Sequence, residues 1–149
     1  MSDEAASTSS LLPHGAPEES GALLFLNAVR RIGIGGLGDA YAASMMMGAF
    51  GLSFRRPLVL MRALMAETAR ASQRSIMIAP SCCCRMTVAE SILLGAVAIA
   101  REEPFAAHQR ICQLCGIENA IGILSSAQAV AQAFADLGRP IDATWNMAG

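Results

Sequence analysis

Apolar side chains recur every three to four positions along this chain, in blocks bounded by residues that begin and end helices, and that spacing leaves little besides a helical fold. Gly21 to Ile34 places Leu23, Phe25, Leu26, Val29 and Ile32 at helix-compatible intervals. Arg30 and Arg31 fall near its end, where cations suit the helix dipole, and Gly33, Gly35 and Gly36 are expected to terminate it. Asp39 is a good N-cap for a second helix, Ala40 to about Phe50, in which Tyr41, Met45 and Phe50 are expected to face inward; Gly51 closes it. Arg55, Arg56 and Pro57 open a third helix, reaching about Ser72, with Leu58, Met61, Leu64 and Met65 on one apolar face. Ile76 to Ala79 is strand-like, but one short strand has no visible partner, so an extended connector is expected there. Thr87 with Glu90 is a capping-box pair that starts a fourth helix running through Arg101, apolar nearly all round and therefore central. Pro104 and Gly116 bracket a fifth helix that ends at Cys115. Ser125 with Gln128 reads as a second capping box, with Asn119 and Gly122 marking the turn before it, and opens a sixth helix stopped by Gly138 and Pro140.

The expected fold is all-α, a compact bundle of five or six short helices. Residues 21–141 are expected to form the helical domain, 1–20 a disordered acidic tail and 142–149 a C-terminal tail. At 149 residues a single core is sufficient, and the 54% apolar content is rich in Ala, Leu and Met rather than in β-branched residues. The tail is Ser, Pro, Ala and Glu, too poor in large apolar groups to offset its own ordering entropy. No long period repeats, which excludes a solenoid.

Charge is unevenly spread. Residues 1–19 carry −4 and residues 30–85 carry +6, from eight Arg against Asp39 and Glu67. Such a basic stretch can attract an anion or the chain's own acidic tail, but Arg residues spread over solvated helix faces account for it more simply. The chain has no Lys, few aromatics interleave the arginines, and no recognition-helix pattern is present, so nucleic-acid binding is not expected. Asp3 and Glu4 replace the basic start of a secretory signal, and the uncharged stretch Ala40 to Phe54 is shorter than the roughly 20 residues that span a bilayer. A cytoplasmic location without membrane contact is expected, with the five Cys as thiols or metal ligands.

Three stretches together resemble a known family: R-R-P-L-V-L-M-R-A-L-M at 55–65, I-A-P-S-C-C-C-R-M-T at 78–87 and S-S-A-Q-A-V-A-Q-A-F-A-D-L-G-R-P at 125–140. The sequence is similar, over most of residues 21–141, to a small uncharacterised alphaproteobacterial domain-of-unknown-function family typical of sphingomonads. The resemblance implies a domain that stands alone in a bacterial cytoplasm. It assigns no activity, ligand or site residue.

Gly33, Gly35 and Gly38 satisfy the G-x-G-x-x-G pattern of dinucleotide sites, but the preceding segment is helical and no carboxylate lies about 20 positions on, so a helix-to-helix turn is the better reading. His108, Cys112 and Cys115 fall at i, i+4 and i+7 on the fifth helix, and Cys82, Cys83 and Cys84 sit just before the fourth. If the two segments pack together, Cys82, Cys84, Cys112, Cys115 and His108 supply a metal set, for tetrahedral zinc or a four-thiolate iron–sulfur cluster. The competing reading is inert core thiols, since buried Cys commonly serves as a small hydrophobe. Cys84, beside Arg85 and close to a helix N-terminus, is the thiol best placed for redox chemistry. His108 is the sole candidate base of the domain, which argues against a Cys–His enzyme. Met45, Met46, Met47, Met61 and Met65 are read as core filling rather than a partner groove. The leading expectation is a non-enzymatic helical interaction or regulatory protein without a cofactor, joining an unknown protein partner or a second copy of itself. A Cys/His zinc, iron–sulfur or thiol redox protein is the alternative.

Overall fold

The computed structural model describes residues 14–15 and 20–142. The fold is all-α apart from one two-residue ladder, with six α-helices among those residues: α1 Ser20–Gly35, α2 Ala40–Phe50, α3 Arg55–Ala71, α4 Val88–Ile99, α5 Pro104–Cys115 and α6 Ile121–Asp136. A 3-10 turn, Gly51–Ser53, joins α2 to α3. Residues 1–13 and 16–19 of the expected tail, and 143–149 at the other end, lie outside the described residues. Within the tail stretch, His14–Gly15 form a short strand, β1, antiparallel to β2 at Arg85–Met86, with His14 opposite Met86 and Gly15 opposite Arg85.

The helix boundaries follow from local chemistry. The Asp39 carboxylate accepts the Ala42 N–H at 2.9 Å and caps α2. At α4 the Thr87 hydroxyl accepts the Glu90 N–H while the Glu90 side chain accepts the Thr87 N–H, the reciprocal capping box read from the sequence. α5 begins on Pro104 and ends at Gly116, whose φ of 69° is the left-handed geometry that glycine adopts without a Cβ penalty. α3 packs along α6 and α4 along α5, while α1 reaches α2, α3 and α4. Phe134 of α6 meets Phe25 of α1 and Phe50 of α2 edge to face, with ring centroids 6.5 and 5.2 Å apart. α1 starts against the end of the domain so closely that a Cβ on Gly21 would strike the carbonyl oxygens of Arg139 and Pro140.

Several expectations need correction. α6 begins at Ile121, so Ser125 and Gln128 lie inside it rather than at its start, and Gly122 is helical. Its opening amides are met from elsewhere: the Asn119 side-chain oxygen accepts the Ile121 N–H at 3.1 Å, and the His108 ring accepts that of Ala120 at 3.0 Å. Gly33 and Gly35 are helical as well, and α1 stops only where Gly36 turns to positive φ. Tyr41 faces outward, 70% exposed, and Ala42 and Met46 are the buried residues of α2, because a helix apolar on every side does not fix its own rotation. Leu23 is also exposed, its place taken by Leu24. Finally, Arg30 is not a solvated cation near the end of α1 but one of the largest side chains wholly inside the core.

Candidate functional site

Leu26 is buried on α1, and Arg30 follows it by one helical turn on the same face, so the guanidinium is carried inward with the apolar stripe. There it meets Glu90 of α4: Nε donates to Oε2 at 2.8 Å and Nη2 to Oε1 at 3.1 Å, with both side chains 1% exposed. Two further bonds go to backbone, from Nη1 to the Cys83 carbonyl at 2.6 Å and from Nη2 to that of Arg85 at 2.7 Å. Glu90 in turn accepts the Thr87 N–H at 2.9 Å and the Ala79 N–H at 3.2 Å. A buried ion pair survives desolvation only when its geometry is good and its other polar atoms are satisfied, and the planar, forked guanidinium meets both demands here.

This network holds a loop in place. The Cys83 N–H donates to the Pro80 carbonyl at 3.0 Å, closing a turn over Ser81 and Cys82, and the Thr87 hydroxyl donates to the Met77 carbonyl at 2.7 Å. Cys83 is half-buried, whereas Cys82 and Cys84 are exposed. The loop backbone is thus tied to the core while two thiol-bearing residues face solvent.

Glu90 also borders a cleft of about 440 Å³ between α1, α3, α4 and the segment linking α3 to α4. Its walls are mainly apolar, among them Val29, Ile32, Met65, Ala69, Ile78 and Leu93. The Thr68 hydroxyl on this wall already donates to the Leu64 carbonyl, and that of Ser72 to the Arg74 carbonyl, both at 2.7 Å. The Arg74 guanidinium, at the rim, donates to the Gln113 carbonyl at 3.0 Å. The linking segment is neither helix nor strand, and its side chains alternate: Ile76 and Ile78 line this cleft, while Ser75 and Met77 line a second hollow of about 400 Å³.

On α5, the Cys112 sulfur lies 3.6 Å from Nε2 of His108 and 3.5 Å from the Glu118 carbonyl. Nε2 accepts the Ala120 N–H, so its lone pair is engaged with backbone. His108 therefore serves the start of α6. Cys115 is wholly buried, and burial pushes its thiol above the usual 9.0 against a smaller opposing hydrogen bond from Ser72. Of the expected metal set, His108 and Cys112 are in contact, Cys115 lies in the core, and Cys82 and Cys84 belong to the pinned loop. Among the described residues, no group of three or more His, Cys, Asp or Glu is gathered to hold one metal ion. No helix there is long and apolar enough to cross a membrane. Sequence spacing gives no sign of Arg30 as a site residue, because its partner stands 60 positions away.

No curated protein and no solved structure matches the chain. The pattern of a family of unknown function, DUF6628, matches residues 1–135, a span that includes the Arg30–Glu90 pair, the cysteine loop and the cleft. The chain belongs to this family of unknown function.

Proposed function

We propose that the protein acts by binding, as a non-enzymatic interaction or regulatory domain of an alphaproteobacterial cytoplasm, and that the cleft beside Glu90 takes a small apolar ligand. The observation that carries this reading is the cleft itself: its volume of about 440 Å³ falls in the range of small-molecule sites, and its walls are mostly hydrocarbon. The polar side chains on those walls are already paired within the protein, so an apolar occupant leaves none of them stranded.

Titration with the fluorescent apolar probe N-phenyl-1-naphthylamine tests it. Saturable binding is expected, weakened by roughly tenfold or more in Ala69→Trp, which fills the cleft from an exposed position, and unchanged in Leu52→Ser, far out on the 3-10 turn. Non-saturable binding, or equal affinity in Ala69→Trp, refutes it.

A further inference from the structure

The geometry points to a second, independent site: Cys82 and Cys84 form a dithiol clasp for a soft metal ion of low coordination number, with copper(I) as the chemical type. Two observations and the chemistry of sulfur converge. The two cysteines are exposed, and residues two apart have Cα atoms no more than about 7 Å apart, within reach of one ion bound between two sulfurs. The backbone between them is fixed at both polar atoms of Cys83, its N–H to Pro80 and its carbonyl to the buried Arg30, so little further ordering is needed on binding. Thiolates are soft ligands, and soft ligands select copper(I) over hard cations. Binding is written as two thiols and one copper(I) giving a bis-thiolate complex and two released protons, with no change of oxidation state.

The reduced full-length protein, titrated anaerobically with copper(I) in millimolar glutathione, provides the test. One copper(I) per chain is expected, with a thiolate-to-copper band in the ultraviolet. Cys82→Ser and Cys84→Ser should each weaken retention by roughly tenfold or more without changing the melting temperature, whereas Cys112→Ser should retain it. Complete loss of copper to glutathione, retention in the Cys82→Ser Cys84→Ser double variant, or loss in Cys112→Ser overturns the proposal. The apolar-probe titration reads the cleft separately, so failure of either site leaves the other standing.

Discussion

Arg30 and Arg31 are neighbours on α1, each paired with a carboxylate, and they occupy opposite environments. Arg30 grips Glu90 inside the core and holds two loop carbonyls besides. Arg31 reaches Asp39 at 3.2 Å near the surface, and its guanidinium lies 4.5 Å from the centre of the exposed Tyr41 ring. Opposite charge alone does not set what a pair contributes. The inner pair is tied to two part-buried loop carbonyls and two buried amides, whereas the outer pair competes with solvent and salt.

Breaking the inner pair should have the largest effect. Arg30→Met leaves the Glu90 carboxylate buried without its counter-charge and should cost about 3–5 kcal/mol in urea unfolding. Adding Glu90→Met should recover only part of that loss, because the Ala79 and Thr87 amides then lose their acceptor. Full recovery would show that the pair contributes no more than its charge. Thr87→Ala removes the α4 cap and the bond to Met77 and should cost about 1–2 kcal/mol by the same measurement. Asp39→Ala should lower the melting temperature less than Thr87→Ala, and less again at high salt. Arg31, followed by the Ala42 amide, holds the Asp39 carboxyl below its usual 3.8. Its contribution is therefore present above that value and lost as pH falls through the lower folded value, so acid melting of Asp39→Asn should lack this component. Tyr41→Ala should be smallest, under about 1 kcal/mol, since its ring is mostly in water.

The same contrast explains what is legible in the sequence. α5 can be read to its last residue because Pro104 and Gly116 act through their own backbone geometry. The Thr87–Glu90 box is equally plain because its partners are three residues apart. The Ser125–Gln128 pair has the same spacing but lies within α6, where Gln128 donates to the Ala100 carbonyl at 3.1 Å instead. The burial of Arg30 and the cleft depend on which helices meet, and no local spacing encodes that. The cysteine pattern is visible in the sequence, but the different fates of the exposed Cys82 and Cys84 and the buried Cys115 are a tertiary outcome.

The segment between α3 and α4 is fastened to the first turn of α4 at the Met77 carbonyl and the Ala79 amide. A guest too wide for the cleft must therefore pull on that turn as it pushes the wall aside, so cavity breadth and helix fraying are thermodynamically linked. Loosening the helix start would widen the range of guests admitted, at the expense of grip on the slender ones.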